Sequence, residues 1–379
     1  MIIQSQRVYI ASTWLKAQVE IEGGKITNIY PYNTKPVDKD YGRLRVVPGF
    51  YDVHTHGYLG YDTTAGGDDG LRRWAKDLPK EGVCGFCPTT LTQAHDTLKR
   101  AVTDVARIKK ENPEGAEILG IHFEGPYLDV KYKGAQPEEY IVKGTIEEFK
   151  EYQEAAEGLI KIITLAPEHD ENFELTKYCA ANGVNVSIGH SDASYDVAMM
   201  AIANGARGFT HTYNGMTPFS HRENGVVGAS LRCHDIYSEV ICDGNHSTLT
   251  ALNIAFREKG EFAMMISDAL MCKGYPVGSR FDFGGQDVEI YPDGSAHICE
   301  GKKQLAGSTL RFNEGLRILV EEENVPFEVA LNAVSRNPMK YLRLDDHKGS
   351  IRAGYDADIV VLNDDYSVAQ TYCLGKAQL

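Results

Sequence analysis

The chain of 379 residues lacks basic charge: 39 Lys and Arg stand against 53 Asp and Glu, a formal net charge of −14. That argues against a nucleic-acid footprint, which needs clustered Lys and Arg. An anionic small substrate stays open, because a pocket can be locally basic inside an acidic protein. No apolar run approaches the ~18 residues of a membrane span. Met1 to Ile10 has no basic start followed by an apolar core, so no secretory signal is expected. The eight cysteines show no disulfide-framework spacing. Cys84 and Cys87 form a C-x-x-C inside a strand-like run, where positions three apart point to opposite faces. Ordinary buried thiols fit them better than redox or zinc chemistry. These absences together predict a reducing, cytoplasmic location. A Gly-rich phosphate loop after the first long apolar run is also missing, which counts against an open doubly wound sheet.

What is present suits a globular protein. Apolar residues make up 42% of the chain, enough for one large domain and a smaller one. Both ends read as short strands. Gln6 to Ile10, Ala17 to Glu22 and Lys25 to Tyr30 flank a turn at Gly23-Gly24, and Asp358 to Leu362 precedes a further strand within Tyr366 to Gln378. Between them, short apolar runs alternate with helical segments. The runs are Arg45 to Asp52, Gly82 to Pro88, Glu117 to Phe123, Ile160 to Leu165, Val184 to Ile188, Gly208 to Thr210, Glu239 to Ile241 and Phe262 to Ile266. The connectors are Ala94 to Lys110, Thr145 to Glu157, Phe173 to Asn182, Ser194 to Ala203 and Leu310 to Glu323, with Gly183 and Gly205 placed as helix C-caps. The expected fold is an α/β (β/α)8 TIM-like barrel over residues 48–347, with a small β-sandwich domain from residues 1–47 and 348–379.

In such a barrel, chemistry sits at the C-terminal ends of the strands. His54 and His56 follow the first run, Glu124 the third, His190 the fifth, His211 the sixth, His246 the seventh and Asp268 the eighth. His54 and His56, two apart on a strand, face the same side and can reach one cation. Each residue alone has a structural alternative: a loop charge for Glu124, a core histidine for His190 or His211, a helix cap for Asp268. Their joint placement at strand ends points instead to imidazoles and a carboxylate around a catalytic divalent ion. Asp268 is placed to take a proton from an activated water and pass it to a leaving group. His246 fits carbonyl polarisation or substrate binding, with a structural role as the alternative. His122 shares the face of Glu124 and fits a supporting position. His95, His169, His234, His297 and His347 read as surface or packing residues.

These residues carry a resemblance. Pro48 to Gly57, Cys87 to Thr92, Leu119 to Leu128, Leu165 to Glu168, Ser187 to Ala193, His211 to Met216, Asp243 to His246, Ser267 to Ala269, Leu305 to Ser308, Arg336 to Pro338 and Gly354 to Leu362 resemble the N-acetylglucosamine-6-phosphate deacetylase family of the amidohydrolase superfamily. The resemblance implies hydrolysis of the acetamide of N-acetyl-D-glucosamine 6-phosphate, with the galactosamine epimer or another amidohydrolase reaction as alternative. It implies that Glu124, His190 and His211 hold the principal ion, Zn²⁺ first and Fe²⁺, Co²⁺ or Mn²⁺ next, with His54 and His56 able to take a second. Asp268 would be the general base and acid. His246, Asn214, Gly215, Ala135 and Gln136 would contact substrate. Arg222 would reach the phosphate in the neighbouring subunit of a homodimer, where a planar guanidinium suits it. Gln136 departs from many members, which carry a histidine there. Cyclic-amide hydrolases and base deaminases often place a lysine after the fourth strand; here Ala166-Pro167-Glu168 follows it. A non-catalytic relative would typically have lost ligands that this chain keeps.

Overall fold

The computed structural model describes residues 1–300 and 304–379. Eight parallel strands carry the site: β1 (Phe50–Thr55), β2 (Val83–Pro88), β3 (Ile121–Glu124), β4 (Ile160–Leu165), β5 (Asn185–Ile188), β6 (Ala206–Phe209), β7 (Tyr237–Ile241) and β8 (Ala263–Ile266). Strands β3 to β8 form one six-stranded sheet in chain order. Strands β1 and β2 pair with each other, and Glu117–Ile118 lies on the far side of β2. Nearly all their residues are buried, as befits strands covered on both faces.

The helices between the strands start where the chain offers a cap. Thr145 accepts from Glu148 N to open Ile146–Ala155, Ser194 from Val197 N to open Tyr195–Ala203, and Thr248 from Ala251 N to open Leu249–Lys259. Gly183 follows Glu174–Ala181 at φ +77°, a left-handed exit that costs a glycine nothing.

The two termini meet in one sheet of eight strands. From one edge the order is Lys376–Ala377, Val368–Cys373, Ile359–Leu362, Arg45–Pro48, Ile2–Ile10, Thr13–Glu22 and Lys25–Pro31, with Lys39–Asp40 beside Ile2–Ile10. The expected first run, Arg45 to Asp52, is therefore two strands. It crosses from the terminal sheet into β1 at Gly49, whose amide donates to Asp358 O and where a Cβ would lie 2.6 Å from Cys84 Sγ. A three-stranded antiparallel sheet, Arg280–Phe283, Gln286–Ile290 and Ala296–Ile298, had no counterpart in the sequence reading. Cys84 and Cys87 are both buried free thiols, and burial pushes both up in pKa. Among the described residues, no helix is long and apolar enough to cross a membrane.

Candidate metal centre and active site

The strand ends deliver His56, Glu124, His190, His211, His246 and Asp268 to the wall of one cavity of about 240 Å³. His190, His211 and Asp268 reach it through left-handed backbone, at φ +48°, +31° and +48°. Such conformations cost of order 1–3 kcal/mol each in a residue other than glycine and persist where the surroundings enforce them. Here they turn each side chain inward two residues past the end of its strand.

The imidazoles are held in one tautomer. His190 Nδ1 donates to Tyr132 O at 2.8 Å and His211 Nδ1 to Asn214 O at 3.0 Å. A carbonyl only accepts, so each Nδ1 carries a proton and each Nε2 offers a lone pair once the ring is neutral; for His211 burial favours that form and Glu124, which outweighs it, raises the pKa. Those two Nε2 atoms lie 3.0 Å from each other and 3.2 Å from Glu124 Oε1. Three electron-rich atoms converge there. Ligands of a tetrahedral Zn²⁺ at about 2.0–2.1 Å stand roughly 3.3 Å apart, so the set fits a divalent cation.

A second group adjoins the first. His56 Nε2 is 3.2 Å from Glu124 Oε2 and 3.1 Å from Asp268 Oδ1, and His54 Nε2 is 3.4 Å from His56 Nε2. His54, His56 and Glu124 thus also form a possible ligand set sharing the Glu124 carboxylate. Burial opposes charge on both histidines, yet the surrounding carboxylates win. Glu124, Asp268 and Glu239 lift His54 to about 9, and Asp268 and Glu124 lift His56 to about 10. Burial would raise Asp268, but His54 and His56 bring it down to about 2. Both sides of this balance express one demand for positive charge between the carboxylates.

The remaining expected residues divide cleanly. His246 lines the cavity with its Nδ1 donating to Asp243 Oδ2 at 2.8 Å. Ala135, Gln136, Asn214 and Gly215 also line it. Gly215 sits at φ +59°, and a Cβ there would meet His190 Nδ1 at 3.0 Å. His122 is buried behind the site. It donates to Val53 O at 3.1 Å, pairs with Thr164 Oγ1 at 2.7 Å and packs its ring on that of His54. Burial, seconded by His54, holds its pKa well down. Arg222 is not in this cavity. It is exposed on a separate surface recess beside Glu223, with Nε donating to His221 Nε2 at 3.2 Å. His169 pairs with Asp129 at 2.8 Å on a half-buried surface.

Two acidic residues of the site were missed in the sequence reading. Asp52 on β1 accepts from Ser267 Oγ at 2.5 Å and Ser267 N at 3.2 Å, which ties the start of the Asp268 turn to β1. Burial pushes the Asp52 carboxyl up to about 6, against the opposing Ser267 bond. Glu239 on β7 accepts from His54 Nδ1 at 2.8 Å. An acid inside a mostly apolar strand hints at a buried partner but does not say which residue supplies it. Phe283 was missed as well; it brings its ring to 5.7 Å from that of His56.

Known proteins carry the same arrangement of chain. The amidohydrolase family model matches residues 45–377. An N-acetylglucosamine-6-phosphate deacetylase of Bacillus subtilis (strain 168) is 39% identical over 366 residues, covering 94% of this chain and 91% of the relative. The crystal structure of N-acetylglucosamine-6-phosphate deacetylase from Pasteurella multocida superposes with a TM-score of 0.92 at 29% identity, covering 100% of this chain and 99% of that one. A mutant of the Mycobacterium smegmatis enzyme in complex with N-acetyl-D-glucosamine-6-phosphate superposes with a TM-score of 0.94 at 27% identity, with the same coverage. The chain belongs to the amidohydrolase family and, within it, to the N-acetylglucosamine-6-phosphate deacetylases.

Proposed function

We propose that this chain hydrolyses the acetamide of N-acetyl-D-glucosamine 6-phosphate to D-glucosamine 6-phosphate and acetate. The observation that carries the reading is the convergence of His190 Nε2, His211 Nε2 and Glu124 Oε1 in a cavity that also holds Asp268. Glu124, His190 and His211 would hold a divalent cation, Zn²⁺ first, with Fe²⁺, Co²⁺ or Mn²⁺ also suited to this donor set. When bound, that ion acidifies water and polarises a carbonyl. Asp268 accepts the proton of the attacking water and then protonates the leaving amine. His246, steadied by Asp243, helps polarise the acetamide oxygen.

Substrate contacts fall to Ala135, Asn214 and Gly215, while Gln136 in the same wall is bonded to Glu124 Oε2 and Thr92 N. Asn214 Nδ2 is buried without a hydrogen-bond partner among the described residues, so a donor there is free for substrate. No Lys or Arg among the described residues lines the cavity. A phosphate dianion there calls for positive charge from elsewhere, which supports a homodimer in which Arg222 reaches the neighbouring active site. The bonds Thr90 N to His122 O and Asp268 N to His54 O link the two parallel sheets at their C-terminal ends. They support a closed (β/α)8 barrel over residues 48–347 beside a small β-sandwich domain from residues 1–47 and 348–379. Free cysteines agree with a reducing cytoplasm.

The test is amine release from N-acetylglucosamine 6-phosphate, its galactose epimer and the unphosphorylated sugar, with metal content measured on the same sample. Turnover concentrated on the first substrate and dependent on the ion is the expected result. Equal rates on all three would overturn the substrate assignment.

A further inference from the structure

Glu239 lies wholly buried on β7, under the site rather than in its cavity wall. Its Oε2 accepts from His54 Nδ1 at 2.8 Å. Its Oε1 has no hydrogen-bond partner among the described residues, and His122 Nδ1 stands 3.8 Å from it. His122 is already committed at both nitrogens, to Val53 O and Thr164 Oγ1. The hydrogen bonding of a fully buried carboxylate is therefore directed at one imidazole. A carboxylate that accepts at Nδ1 fixes the proton there and leaves Nε2 to face the site, 3.4 Å from His56 Nε2 and 3.5 Å from Glu124 Oε1.

The charges point the same way. Glu124, Asp268 and Glu239 are each at least nine-tenths buried, and the ion pairs they make among the described residues are with histidines. One divalent cation leaves a carboxylate charge uncompensated, and an uncompensated charge in a dry interior is costly. We infer that Glu239 is a positioning residue: it fixes the tautomer and orientation of His54 so that Nε2 faces the second-ion set of His54, His56 and the second Glu124 oxygen that the family resemblance already implies. This rests on the reading of the site as a metal centre. The rival arrangement is a single ion with His54 kept as an imidazolium between Glu239 and Asp268.

The experiment counts metal and does not depend on turnover. Protein saturated with Zn²⁺ is desalted, titrated with chelator and assayed for zinc per chain, as wild type, Glu239→Gln, Glu239→Leu, His54→Ala and the double variant Glu239→Gln/His54→Ala. The wild type should retain two ions. Glu239→Gln should keep the ion of Glu124, His190 and His211 and release the other about 10- to 100-fold more readily, as loss of an outer carboxylate does elsewhere. Glu239→Leu should do so more strongly; if it fails to fold, the near-isosteric Gln variant still decides. On the His54→Ala background Glu239→Gln should change nothing further, because its effect passes through that ring. One ion in the wild type, two firmly held ions in Glu239→Gln, or an undiminished extra loss in the double variant would each overturn the inference. A protein inactive on every amino sugar would sink the proposed reaction and leave these counts intact.

Discussion

Gln136 bridges Glu124 to the backbone of the neighbouring loop. Its Nε2 donates to Glu124 Oε2 at 2.7 Å, and its Oε1 accepts from Thr92 N at 2.7 Å. A backbone N–H only donates, so the Thr92 bond decides which end of the amide faces the carboxylate. The resemblance places a phosphate-contacting histidine at this position in many members. Here the side chain is buried and braced against the Glu124 carboxylate, the ligand proposed for the metal. Gln136→Leu should therefore weaken metal retention and lower kcat while leaving KM for the phosphorylated sugar nearly unchanged. Removing one partner of a buried charged group costs about 1–3 kcal/mol, or roughly 5- to 150-fold in affinity. A raised KM with normal zinc content would return Gln136 to the phosphate.

Asp268→Asn should bind metal and lose turnover. The backbone at Asp268 is held independently of its carboxylate, by Asp268 N to His54 O and by Ser308 N to Asp268 O. The substitution removes the proposed proton acceptor while this frame stays. A positioned base contributes about 10²–10⁴ in rate. Zinc per chain and kcat measured together check this, and near-normal kcat would remove Asp268 from the role.

Much of this site was legible because buried parallel strands read as unbroken apolar runs. Ile160–Leu165 has the bounds expected, and Glu124, His190, His211, His246 and Asp268, each within a few residues after its run, line the cavity. Helix starts at Thr145 and Ser194 were legible from local capping chemistry. Apolar continuity could not separate one buried sheet from the next, so Arg45 to Asp52 read as one strand. The hairpin at Gly284-Gly285 carries a two-residue turn signal, with both glycines at positive φ, between Phe283 and Gln286. Its place over His56 depends on packing that no local pattern encodes. Glu239 and Asp52 were illegible as site residues for the same reason: their partners His54 and Ser267 are 185 and 215 residues away.

The metal-free protein should lose stability as pH rises. His54 and His56 sit above the ordinary imidazole value of 6.5, at about 9 and about 10, because neighbouring carboxylates outweigh burial. A raised imidazole pKa contributes stability that is fully present below 6.5 and is lost as pH passes through the folded values. Tm of the metal-free protein should fall between pH 6.5 and 10. Over the same window metal should bind more tightly, since fewer protons compete for the nitrogens. A metal-free Tm that stays flat across the window would contradict the assignment.

Arg222→Ala should separate phosphate binding from chemistry. Its guanidinium is exposed and lies outside the cavity of its own chain, so removing it disturbs neither the metal ligands nor the core. KM for the 6-phosphate should rise, by the equivalent of about 1.5–3 kcal/mol for a lost bond to a charged group. The rate on unphosphorylated sugar should not change. Sedimentation across a concentration series should show a dimer in both proteins. A monomer with full phosphate selectivity would exclude delivery of Arg222 from a neighbour.

Gly215→Ala should injure the metal centre without opening the barrel. Gly215 adopts φ +59°, which strains any other residue, and a Cβ there would stand 3.0 Å from His190 Nδ1 and 3.3 Å from His211 Cε1. Both rings are already fixed, His190 by Tyr132 O and His211 by the Asn214 carbonyl next in the chain. The methyl group can be accommodated only by moving a ligand or that carbonyl. Either shift misaligns the two Nε2 atoms that approach to 3.0 Å. The expected result is easier loss of zinc to chelator and lower kcat, with the metal-free Tm close to that of wild type. If Tm fell steeply while zinc stayed firmly bound, the glycine would be serving the fold of its loop and not the two histidines.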